Sequence, residues 1–122
     1  MTQEVSLYER LGGSLAIRSV TEAFYRKVLA DGLLARYFDD MDMDRQVAKQ
    51  ASFLTMVLGG PAEYTGRELR AAHAKMTDLD DKHFDAVLGH LAATLREFGA
   101  GHADVSAVAA VAASVRDDVL NR

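Results

Sequence analysis

Proline occurs once in 122 residues, at position 61, and no stretch alternates apolar and polar residues strongly enough to read as a strand. This pairing constrains the fold more than any other feature of the chain. Proline inside a helix removes a backbone donor and clashes with the preceding turn, so a chain almost without it can be helical throughout. Apolar residues recur here at steps of three and four, the spacing of a helix face. Glycine supplies the punctuation, above all in the pairs Gly12-Gly13 and Gly59-Gly60. An all-α chain follows, expected to form one domain over residues 1–122, a length near the commonest domain size.

The elements can be placed from these signals. A short helix is predicted over residues 4–10, stopping at the first glycine pair. Ser14 is expected to cap a long second helix carrying Ile17, Val20, Phe24 and Val28, which ends near Asp31-Gly32. LLARYFDD, residues 33–40, reads as a brief helical turn. Asp42 or Asp44 starts the next helix, which stops at Gly59-Gly60-Pro61. A loop, PAEYTG, leads to a short helix, RELRAAHAKM. From Asp80 or Asp81 a helix presents Phe84, Val87, Leu88, Leu91, Leu95 and Phe98 on one stripe. After GAGHAD a single alanine- and valine-rich helix is expected to run to about Leu120.

Several function classes drop out early. The chain has no cysteine, which removes disulfides, thiolate catalysis and Cys-based metal sites and fits a cytoplasmic protein. MTQEVSLYERLGG lacks a basic segment followed by an apolar one, so no signal peptide is read. No run approaches the ~20 apolar residues of a membrane span. The net charge of −4 has both signs interspersed and leaves no basic stripe for nucleic acid. Nucleotide-binding and hydrolase motifs are absent.

The chemistry has to come from a few polar residues on apolar faces. Gln46, Gln50, Phe53 and Val57 share one helix face, so two amides stand above a hydrophobic patch, with Lys49 beside them. A buried amide without a partner costs roughly 1–3 kcal/mol, so these two need an acceptor. His73 lies four residues after Leu69 and three before Met76 and faces inward with them. Taken alone, such a histidine more often makes one core hydrogen bond than ligates a metal. Lys49 alone reads as a solvated charge, and Tyr25, Phe38, Phe53 and Met76 alone read as core. His83 is expected to be partly exposed in the first turn of its helix. With His90 it could bind a metal, although no third ligand stands at a convincing spacing. His102 is expected in a solvated loop.

The set is more informative than its members. SLYERLGG, EAFYRKVLAD, RYFDDMDMDRQ, KQASFLTMVLGGPAEYTG, LRAAH and KHFDAV occur in one order over residues 6–120, and in that order and spacing the chain resembles the group I truncated haemoglobins. The resemblance implies a two-over-two helical sandwich around haem. It makes His73 the proximal iron ligand and Phe38 the phenylalanine wedged against the porphyrin. Tyr25, Gln46 and Gln50 would line the distal side, which gives the two amides their partner. Phe53, Met76, His83, Phe84 and Val87 would pack beside the haem, and Tyr64 and Arg70 would approach its propionates. Lys49 stands where relatives carry either a distal iron ligand or a propionate partner. Holding a lysine neutral at pH 7 costs about 4–5 kcal/mol, which favours the propionate over iron. Val115 stands near the slot where some cyanobacterial members bond a histidine covalently to haem, so the haem b here is expected to be noncovalent. Ala51, Val57 and Ala92 are candidates for a gas route.

The function implied is reversible binding of O2, NO and CO at haem iron, with high oxygen affinity from the distal tyrosine and glutamine donors. It extends to dioxygenation of nitric oxide, which would need an external reductase. The alternatives are an oxygen carrier or sensor without turnover, and a haem-free helical interaction domain. A cytoplasmic monomer with no membrane or nucleic-acid partner is expected.

Overall fold

The computed structural model describes residues 6–60, 70–71, 73–74, 76 and 78–121. Every regular element among the described residues is helical, as the proline and glycine pattern requires.

Helix α1, Leu7–Arg10, starts where Ser6 Oγ accepts the Glu9 N–H at 3.2 Å. It stops at Gly12 and Gly13, whose φ values of +118° and +68° suit residues without a side chain. Helix α2, Ser14–Ala30, follows directly. Gly13 holds its cap position and no side chain caps it, so Ser14 is the first helical residue and not the expected cap. The left-handed turn at Gly13 already sets the entry angle. Ile17, Val20, Phe24 and Val28 are buried in register, and the helix ends at Asp31, whose carboxylate accepts the Leu33 N–H at 2.9 Å.

A single tight turn, Ala35–Phe38, then leads to α3, Met43–Val57. Of the two candidate aspartates, Asp42 starts it by accepting the Arg45 N–H. Helix α4, Asp81–Glu97, is capped by Asp80 in a reciprocal arrangement. The Asp80 carboxylate takes a backbone N–H of the first turn, and His83 returns Nδ1 to the Asp80 N–H at 3.1 Å. That folded-back ring explains why His83 is only 3% exposed, against the expectation of partial exposure.

The last stretch departs from the single helix expected. It forms α5, His102–Ala113, and α6, Arg116–Leu120. Between them the Ser114 hydroxyl bonds the Val111 carbonyl, and the Val115 N–H bonds Ala112, one residue short of the α-helical step. A serine hydroxyl competing for helix carbonyls tightens and ends the turn. His102 begins α5 and is exposed, so it is solvated as expected but lies in a helix and not in a loop.

The helices pack as two pairs, α2 with α3 and α4 with α5, and α2 also crosses α4. This is the two-over-two sandwich. Val20, Leu54 and Leu95 have no exposed surface at its centre. Each stabilises the fold by roughly 1.5–3 kcal/mol through burial. Arg10 forks onto both oxygens of Asp104 at 2.9 and 2.7 Å, tying α1 to α5. Arg116 reaches back to Asp81 and Asp85 and stacks on Phe84, which fastens α6 to α4.

Candidate functional site

Helices α2, α3 and α4, the turn at 35–38 and residues His73, Met76 and Leu79 line a cavity of about 290 Å³, to which α5 adds Ala112 and α6 adds Val119 and Leu120. The volume lies near the lower end of small-ligand pockets.

Helix α2 brings Tyr25 to the cavity and α3 brings Gln46, Lys49 and Gln50. Tyr25 is 4% exposed, held by Phe24 at 5.3 Å between ring centres and edge-on to Phe38 at 5.6 Å. The Gln46 Nε2–H donates to the Tyr25 hydroxyl at 3.3 Å, so one of the two amides is satisfied by the phenol. Gln50, one turn on, is half-buried against the cavity, and Lys49 is exposed at its edge. Phe53 completes this wall.

His73 is half-buried, helical in backbone conformation, and reaches the same cavity, with Met76 three residues on. Helix α4 adds His83, Phe84 and Val87. Eleven of the thirteen residues singled out from sequence therefore share one cavity. Tyr64 lies outside the described residues. Arg70 does not line the cavity: its Nε donates to Asp118 at 2.8 Å, which draws the guanidinium toward α6. The candidate gas-route residues Ala51, Val57 and Ala92 also lie off the cavity wall; Val57 is core and Ala92 packs against core. Val115 sits half-buried at the α5–α6 break.

The two histidines of α4 have separate tasks, so they do not form the pair considered for a metal. His90 is turned away from the cavity to the Asp31 carboxylate at 2.7 Å, and that hydrogen bond holds the Asp31 carboxyl below the usual carboxylate range. His83 stays on the cavity wall, with Nε2 3.5 Å from the Tyr37 hydroxyl and its ring edge-on to Tyr37.

Tyr37 was not legible from sequence. It precedes Phe38, and on a helical turn only one of two neighbours is expected to face inward. The tight turn at 35–38 lets both reach the cavity. Val119 and Leu120 were likewise unforeseen as lining residues, because the break at Ser114-Val115 is what delivers them. Burial, and then the neighbouring Asp78 carboxylate, push the Tyr37 phenol up. Tyr37, and then Arg36, hold the Asp78 carboxyl down.

Comparison with known proteins points one way. The bacterial-like globin family matches residues 6–121. The chain is 42% identical over 122 residues to a group 1 truncated hemoglobin of Tetrahymena pyriformis, covering all of both chains. It is 42% identical to one from Synechocystis sp., covering 96% of this chain and 98% of that one. Among solved structures, the truncated hemoglobin of T. pyriformis in its Fe(III) form superimposes with a TM-score of 0.85 at 43% identity, over 95% of this chain and 98% of that chain. The 2/2 hemoglobin of Synechococcus sp. PCC 7002, in the cyanomet state with covalently attached heme, gives 0.87 at 40% identity, over 97% and 100%.

Proposed function

The chain belongs to the bacterial-like globins, among the group 1 truncated haemoglobins, a family that binds haem b and small gas ligands, and from that premise we propose how its residues divide the work. His73 gives a ring nitrogen to the iron. Tyr25, Gln46 and Gln50 serve the ligand on the far side. Phe38, Phe53, Met76, Phe84 and Val87 pack against the flat, mostly apolar ring, with no covalent bond to the chain.

The residues present fit that cofactor. Two imidazoles, of His73 and His83, reach a cavity whose other lining is largely apolar; His83 is engaged through both ring nitrogens, with Asp80 and Tyr37, and polar donors are grouped on α2 and α3. Haem supplies a metal centre at which a diatomic gas can bind and gain negative charge. The chain supplies preorganised donors for that charge. Gln46 donates to the Tyr25 oxygen and so fixes the rotation of the phenol, whose own O–H is then the donor toward the ligand. Gln50 offers an amide N–H one turn further along. Walls that exclude water make each donor act at low dielectric. Hydrogen bonds to charged acceptors contribute ~1.5–3 kcal/mol each, so two of them slow ligand release by a factor of order hundreds. Tight, reversible oxygen binding is the function that follows, with NO and CO as further ligands.

Turnover of nitric oxide extends the same site: NO, O2 and one electron give nitrate, the electron coming from a separate reductase. Lys49, exposed at the cavity edge, pairs with a carboxylate of the cofactor. A low-spin ferric spectrum at about pH 9 that vanishes in Lys49→Ala would reassign it to the iron.

The observation that carries this reading is the placement of His73 in one cavity with the Gln46–Tyr25 hydrogen bond. Hemin titrated into the apoprotein should give a Soret band that saturates at equal stoichiometry, and His73→Gly should change the visible spectrum. Uptake that never saturates, or an unaltered spectrum in the variant, overturns it. Nitric oxide consumption by the oxygen-loaded protein, with and without a reductant, separates turnover from carriage.

A further inference from the structure

The backbone around His73 is anchored on both sides by side chains. Before it, Arg70 Nε donates to Asp118 at 2.8 Å, toward α6. After it, the Asp80 N–H bonds His83 Nδ1 at 3.1 Å, at the start of α4. Asp78 stands between these anchors and reaches in another direction. Its carboxylate accepts from Arg36 Nη2 at 2.7 Å, which ties it to the turn at 35–38. Met76 and Leu79 line the cavity on the Asp78 side, and Tyr37 and Phe38 line it on the Arg36 side. All four are half-buried, whereas Arg36 and Asp78 are exposed. The ion pair therefore joins two cavity walls where they approach solvent.

An exposed ion pair ordinarily contributes little, because ordering two long side chains offsets the attraction. Here the arginine is held by more than the pair. The same Nη2 donates to the Tyr37 oxygen at 2.9 Å, and the guanidinium lies 4.6 Å over the Tyr37 ring. That ring stands edge-on to the buried His83, with ring centres 5.7 Å apart. The guanidinium is thus fixed on one wall, and Asp78 is drawn to it. On the other wall the backbone advances in tight turns. The Leu79 N–H bonds the Met76 carbonyl at 3.2 Å, and the Met76 N–H bonds the His73 carbonyl at 3.0 Å. Each bond spans three residues, one fewer than the α-helical step. A shift of Asp78 is therefore carried to His73 through two backbone bonds.

On the reading that the cavity holds haem, we infer that Arg36 and Asp78 are positioning residues for His73. They act through the backbone. The pair sets the spacing between the wall that carries Phe38 and the turns that carry the imidazole, and with it the reach and tilt of the ring nitrogen toward iron. Groups outside the liganding atoms commonly tune a metal bond in this way. An imidazole held at the right reach bonds iron more firmly than one that must stretch to it, so the pair governs how tightly the chain keeps its cofactor.

Two measurements on hemin-loaded protein test this: the iron–histidine stretching band of the ferrous form by resonance Raman, and the rate of hemin transfer to excess apomyoglobin. Arg36→Ala and Asp78→Ala should each shift the band and speed transfer about threefold. The double variant should match either single one, because each removes the same pair. If an alanine variant does not load hemin, Asp78→Asn, which keeps the shape and removes the charge, decides in its place. An unmoved band with an unchanged transfer rate overturns the proposal. Faster transfer with an unmoved band overturns the role toward His73, and effects that multiply in the double variant overturn the pair. An unaltered chain that takes up no hemin overturns the cavity reading itself, and this one with it.

Discussion

At the scale of single residues, the polar wall of the cavity depends on one hydrogen bond. Gln46 uses its amide to aim the Tyr25 phenol, so the two act as a unit and their effects should not add. Tyr25→Phe removes the donor and leaves the ring between Phe24 and Phe38. Stopped-flow oxygen release should accelerate about tenfold or more in this variant, the loss of one hydrogen bond to a charged acceptor; an unchanged rate would rule out the donor role. The sequence made these residues legible because each polar group on an apolar face demands a partner. It could not show that Gln46 would find Tyr25 while Gln50 would be left facing the cavity, since side-chain rotation depends on helix crossing. Tyr37 and the burial of His83 were missed for a related reason. Both follow from a tight turn and a folded-back cap, which leave no trace in helical periodicity.

At the scale of elements, glycines and caps located the starts of α2, α3 and α4 to within a residue or two, whereas α1 begins at Leu7 and not at residue 4, α5 begins at His102 inside the expected GAGHAD loop, and the last helix is split. That split rests on a serine hydroxyl capturing a carbonyl, an alternative that helix propensity does not disclose. The second glycine pair shows what a punctuating residue can carry. A side chain at Gly60 would place its Cβ 2.6 Å from the Tyr8 ring and 2.8 Å from the Thr55 methyl, where α1 and α3 meet. Gly60→Ala should cost about 1–3 kcal/mol, a fall of several degrees in the melting midpoint by circular dichroism. The joint between α2 and α4 responds to acid. His90 holds the Asp31 carboxyl below its ordinary 3.8, and Lys27 holds the Glu97 carboxyl below its ordinary 4.5. Stability from such depressed groups is present above the ordinary values and disappears as pH falls through the lowered ones. The melting midpoint should therefore drop on acidification below about pH 4.5, and less steeply in Asp31→Asn.

At the scale of the whole molecule, the cofactor is part of the core it enters. Phe38, Phe53 and Val87 pack against the buried cluster on one side and line the cavity on the other. A ligand present at about 1,000 times its dissociation constant adds ~4 kcal/mol to stability. Hemin-loaded protein should melt on the order of 15 °C above the apoprotein by calorimetry, and equal midpoints would mean the cavity gains nothing from its guest.

The interruption at Ser114-Val115 also makes part of the chamber wall a separate piece. Leu120 and Val119 form the last panel of the chamber, yet they belong to a five-residue segment latched to α4 by the Arg116 fork. Arg70 adds a second tie through Asp118, and Arg116 also stacks on Phe84, so charged contacts near the surface fix this panel to the rest of the chain. Added salt, which screens exposed ion pairs, should therefore loosen this panel before it loosens the apolar centre of the bundle.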